Sequence, residues 1–118
     1  MKHLCLIFVA LIFLALDTVA QPRLVDQRIS LKNGRSFTLK IADGFEMIPA
    51  MEGLKRVRFF AKAPDGRIFV TDMYNLADGT RGTVYILDGW NAETGKFARA
   101  IPYLTKLRNP NSVQFYKD

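Results

Sequence analysis

Val57-Arg58-Phe59-Phe60-Ala61-Lys62-Ala63-Pro64-Asp65-Gly66-Arg67-Ile68-Phe69-Val70-Thr71-Asp72 is two short runs of extended-chain residues joined by a turn. Pro-Asp-Gly supplies the break, because proline presets φ, aspartate bonds the backbone ahead of it and glycine accepts positive φ. Val57 to Lys62 and Arg67 to Asp72 therefore read as an antiparallel hairpin. In the second run Ile68 and Val70 point one way, Phe69 and Thr71 the other, so both faces carry apolar groups. That is the pattern of a strand buried on two sides.

The same grammar continues towards the C-terminus. A polar loop, Met73 to Gly82, precedes a third strand, Thr83 to Asp88. Gly89 to Lys96 then connects to a fourth, outer strand, Phe97 to Leu104, interrupted by Pro102. Four consecutive antiparallel strands of this length make one propeller blade. Asn111 to Tyr116 aligns with Val57 to Lys62 at an offset of roughly 54 residues, near the longer blade repeats. The expected fold is all-β: a first blade and the start of a second. A β-sandwich gives similar strand spacing and stays open as the alternative.

Towards the N-terminus, Arg28 to Lys32 and Ser36 to Ile41 flank Asn33-Gly34, a strong short hairpin signal in which both turn positions favour positive φ. Asp43-Gly44 breaks the run, and Phe45 to Met51 is a further extended piece whose Pro49 suits an edge. Residues 21–41 thus form a lead-in hairpin and residues 42–118 the partial propeller.

Residues 1–20 read as an export signal: Met1-Lys2-His3, an unbroken apolar run from Leu4 to Leu16, and small residues ending at Ala20. The run is short of the ~20 residues that cross a bilayer, so no membrane span is expected after cleavage. An uncleaved anchor or a buried hairpin is the alternative. The expected location is periplasmic or secreted. The chain's one cysteine, Cys5, and one histidine, His3, both lie in this segment. Residues 21–118 therefore form no disulfide, no nucleophile–histidine pair and no soft zinc site. The net charge of +6 is unchanged by cleavage, which removes one base, Lys2, and one acid, Asp17.

Several clusters invite a functional role. Asp72, Asn75 and Asp78 offer oxygen ligands to calcium, but their spacing is not that of an EF-hand loop, and a solvated polar loop is the expected reading. Lys55-Arg56-Val57-Arg58 is cationic and suits phosphates or anionic cofactors, or simply solvent. Nucleic acid is not expected, since the aromatic residues alternate as a strand face and form no stacking platform. Trp90 reads as packing at the end of the third strand, and Tyr74 as rim packing or a ligand contact. Arg108, Asn109 and Asn111 are the candidate cofactor-binding residues. They sit just ahead of the second blade's inner strand, where propeller loops rim the central channel, and their side chains donate hydrogen bonds. Turn capping by the two asparagines is the competing explanation.

Arg58 to Asp72 resembles the first blade of the glucose/sorbosone dehydrogenase family, soluble sugar dehydrogenases that use pyrroloquinoline quinone. Ala42-Asp43-Gly44-Phe45-Glu46-Met47 is similar to the family's lead-in, and Thr83 to Asp88 and Leu107 to Val113 continue the likeness. The resemblance implies a propeller of about six blades, with calcium polarising the quinone and a histidine taking the proton from a sugar hydroxyl. No histidine in residues 21–118 matches that base. The expectation is an exported N-terminal piece of a sugar dehydrogenase-like parent, with no catalytic residue, metal ligand or bound cofactor of its own. The alternatives are a non-enzymatic exported propeller that binds partners and a self-contained small β domain.

Overall fold

The computed structural model describes residues 21–116, so the export signal expected over residues 1–20 lies outside the described residues. Within them the protein is all-β, two antiparallel sheets with no helix. Strands β1 (Leu24–Ser30) and β2 (Ser36–Ala42) form a two-stranded sheet. Strands β3 (Val57–Lys62), β4 (Ile68–Asp72), β5 (Gly82–Asn91) and β6 (Lys96–Leu107) form an open four-stranded meander in that order.

Both early hairpins close with the same turn. The Leu31 N–H donates to Arg35 O and the Gly34 N–H to Leu31 O, at 2.8 and 3.0 Å. The Ala63 N–H donates to Arg67 O and the Gly66 N–H to Ala63 O, at 2.8 and 2.9 Å. In each, a side-chain oxygen (Asn33 or Asp65) accepts from the backbone two residues ahead, and the glycine alone takes positive φ, +81° and +89°. These are three-residue loops with a glycine bulge. Asn33 therefore does not adopt the positive φ expected of it; the wider loop needs only Gly34 there.

Residues 45–56 form no strand, yet they join the two sheets. The Gln27 amide imitates a strand partner, donating to Met47 O at 3.0 Å and accepting from Met47 N–H at 2.8 Å. Glu52 accepts from the Lys32 N–H, and Ala50 O accepts from the Phe97 N–H at the start of β6. Pro49 is tolerated because this segment needs few ladder donors.

The meander has two apolar faces. Register places Phe60, Val70 and Tyr85 in one row, and Lys62, Ile68 and Leu87 in the next. The opposite face carries Ala61, Phe69, Ile86 and Ile101. The Phe69 ring centres the packing there, edge-on to Tyr103 at 5.2 Å and to Phe115 at 4.9 Å. Leu107 and Val113 pack against the same cluster.

Four elements differ from the sequence expectation. β1 runs from Leu24 to Ser30 rather than from Arg28 to Lys32, because Leu31 and Lys32 belong to the turn. β5 runs through Trp90 to Asn91, so Trp90 is paired with Phe97 inside the ladder and its ring lies 4.8 Å from that of Phe97. It does not cap the strand. β6 continues past Pro102 to Leu107, since a proline on an edge strand costs no ladder bond on its open side. Residues 111–116 form no strand. A strand exists only with ladder bonds, and among the described residues this segment makes none, a concavity separating residues 112–115 from Phe59 and Ala61 of β3.

Candidate functional site

At one end of the meander four chain passages meet: the start of β3, the end of β4, the start of β5 and the end of β6. Register fixes this, with Val57 opposite Asp72, Asp72 opposite Thr83, and Gly82 opposite Leu107. These strand ends and the loops joining them hold every polar candidate named above except Trp90.

Asp72 is the knot of this end. It is 3 % exposed, and its carboxylate accepts three backbone N–H groups, from Lys55, Arg56 and Tyr74, each at 2.8 Å. A buried carboxylate is tolerable only with such partners. Its lone pairs are thus committed to the chain and not directed at a cation. Asp78 is likewise engaged, forming a two-pronged ion pair with Arg108, whose Nε donates at 2.9 Å and whose Nη2 bonds the second oxygen. That hydrogen bond holds the Asp78 carboxyl below its ordinary value and raises Arg108 above its own. No group of three or more His, Cys, Asp or Glu side chains is arranged to hold a metal among the described residues.

β3 carries a bulge between Val57 and Phe59, which makes Arg58 the extra residue. A bulge re-aims its side chain, and Arg58 Nε donates to Asn111 Oδ1 at 3.0 Å. Thr71, fully buried, fills the space left by the irregular ladder. Its hydroxyl accepts from the Phe59 N–H at 3.0 Å and lies 3.5 Å from the Asn111 carbonyl. Together these contacts bring residues 108–111 back from β6 across the end of the sheet to β3. Gly82 makes the crossing possible, because a Cβ there would stand 2.1 Å from the Pro110 ring and 2.7 Å from Leu107 O.

Arg108, Asn109 and Asn111 therefore share one loop, but each faces a different neighbour. Arg108 reaches Asp78, and Asn111 receives Arg58. Asn109 adopts a φ of +42°, and its Oδ1 is buried without a hydrogen-bond partner among the described residues. None of the three lines the two concavities on the sheet. One of these, about 310 Å³, separates Phe59 and Ala61 from residues 112–115. The other, about 730 Å³, lies on the Phe60 face, lined by Met51, Leu54, Val70, Leu87, Trp90 and Phe97 among others.

The cationic run singled out in the sequence proves to be part of a larger group. Lys55, Arg56, Arg58, Arg81, Lys106 and Arg108 all sit at this end. Arg81 and Lys106 escape notice in the sequence because they come from a distant loop and from the far end of β6. Arg81 lies over the Tyr74 ring at 4.0 Å, a cation–π contact. Lys106 holds a φ of +57° where the β5–β6 register shifts between Gly82 and Val84. Thr71 is visible in the sequence only as a strand residue, and Asp72 as a strand end and candidate cation ligand, not as an acceptor for backbone donors. The contact from Asp72 to Tyr74, two residues ahead, has a local signature, whereas those to Lys55 and Arg56 do not.

Comparison with known proteins finds no matching family model, no matching curated protein and no matching solved structure.

Proposed function

We propose that the four-stranded meander serves as one blade of an exported β-propeller, and that the assembly it belongs to is a quinone-dependent sugar dehydrogenase. The observation that carries the blade reading is the two-faced apolar sheet. Phe59 and Phe60, adjacent in β3 and on opposite faces, are 50 % and 69 % exposed, and Tyr103 and Leu104 repeat the situation in β6. A sandwich sheet keeps one face for water, whereas a blade packs against a neighbour on each side. The return of residues 108–116 from the outer strand to the inner one supports the same reading, as this is the path from one blade to the next.

The enzymatic part rests on the resemblance of residues 42–118 to the first blade of the sugar dehydrogenases. In this role the blade supplies wall and rim, and Arg108, Asn109 and Asn111 would stand where the channel opens. Pyrroloquinoline quinone and calcium would be held by groups other than those of residues 21–118, which include no histidine to act as base. The test is sugar-dependent reduction of a dye by the product of the natural gene, with quinone and calcium added. Activity that requires both supports the proposal. A product whose further blades lack a channel histidine, and which binds partners without reducing dye, would replace it with the non-enzymatic propeller.

A further inference from the structure

Charge is unevenly placed on this protein. Among the described residues, nine bases face seven acids away from the end described above, and three ion pairs (Asp26–Lys40, Asp65–Arg67 and Asp88–Arg99) match them locally. At the end itself, among the described residues, six bases meet only Asp72 and Asp78. Asp72 is buried and spent on backbone donors, and Asp78 is spent on Arg108. Lys55, Arg56, Arg58, Arg81 and Lys106 are exposed and have no acidic partner among the described residues. A surplus of this kind concentrates an anionic partner.

The loop among these bases identifies the kind of partner. Residues 73–81 present Leu76, 67 % exposed, and Tyr74, 39 % exposed. The loop is anchored rather than loose: Met73 N–H donates to Arg56 O, Tyr74 N–H to Asp72, and Asp78 is held by Arg108. A soluble polyanion offers nothing to an exposed leucine. A lipid interface takes up leucine in its acyl boundary, tyrosine at headgroup depth and lysine or arginine among the phosphates.

We propose that this end of the sheet docks on an anionic lipid surface, with Leu76 entering the interface and Lys55, Arg56, Arg58, Arg81 and Lys106 meeting the headgroups. The geometry requires neither the propeller nor any sugar chemistry.

The experiment is co-sedimentation of the whole protein with phosphatidylcholine vesicles, with and without phosphatidylglycerol. Binding is expected only with the anionic lipid and falls as salt rises. Each base near the surface is worth about a five-fold change in affinity, so the Lys55→Glu, Arg56→Glu, Lys106→Glu triple variant should lose roughly a hundred-fold or more. Leu76→Ser should lose about ten-fold while leaving the far-UV spectrum unchanged. The Arg23→Glu, Lys32→Glu, Arg35→Glu triple variant carries the same change in net charge on the hairpin and should bind nearly as wild type. Equal losses in the two triple variants would overturn the proposal in favour of net charge alone. Indifference to Leu76→Ser, together with retention on a heparin column that the first triple variant abolishes, would overturn it in favour of a soluble polyanion.

Discussion

Asp72 holds three backbone donors in a site with almost no solvent, so removing its oxygens strands all three. Hydrogen bonds to charged groups are worth about 1.5–3 kcal/mol, and buried donors left unpaired cost a further share. Asp72→Ala should therefore destabilise the chain by about 3 kcal/mol or more in urea titration, and Asp72→Asn, which keeps one acceptor, by less. Equal and small effects of both would show that the carboxylate is not the knot described. Asp78 makes a subtler prediction. Its folded value is depressed by the Arg108 hydrogen bond, with the Gly79 N–H adding to it. Stability from this pair is thus present above the unfolded carboxyl value of about 3.9 and is lost as pH falls through the folded one. An NMR titration should place the Asp78 midpoint below that of an exposed aspartate, and 1 M salt should move it back. The pair is exposed, so the change in global stability stays small.

The two hairpin turns show what the sequence makes legible at the level of elements. Asp65-Gly66 and Asn33-Gly34 announce their turns, because only a few residues serve at those positions. The bounds of β3 follow directly from the Pro-Asp-Gly unit. A Cβ added at Gly66 would meet nothing nearer than Lys62 Cε at 4.0 Å, so Gly66→Ala is penalised by backbone conformation alone. About 1–2 kcal/mol is expected. Gly82→Ala should cost more, since the added methyl meets Pro110 and the Leu107 carbonyl, and it should loosen residues 108–111, seen as faster amide exchange there. Gly82 read in sequence as the end of a loop, because its role depends on a chain crossing 25 or more residues later. The same limit applies to Asn111 to Tyr116. Its alternation suggests a strand, but a ladder needs a partner that no local pattern supplies. The candidate site was half legible: the Arg108 to Asn111 loop and the Lys55 to Arg58 run were visible as clusters, while their meeting through Thr71 and Arg58 was not.

For the whole molecule the decisive fact is how little of its apolar surface is covered. Among the described residues five hydrophobic ones are buried (Ile29, Ala63, Phe69, Val70 and Val84), whereas fifteen large ones, among them Phe45, Phe59, Phe60 and Trp90, are exposed. Cores of that size rarely stabilise a domain, and exposed patches of this extent mark surfaces that pack against something. Alternation in β3 to β5 already implied burial on both faces, which no composition statistic separates from a sandwich. Phe60, Val70 and Leu87 line an open concavity on one face, while on the other Phe69 packs against Phe115. Differential scanning calorimetry of residues 21–118 tests the central claim most directly. A self-sufficient domain of this length melts with an enthalpy of about 60–80 kcal/mol in one cooperative transition. A blade lacking its neighbours is predicted to give a broad transition with an enthalpy far below that. A sharp two-state melt of the monomer with the full enthalpy would contradict the account.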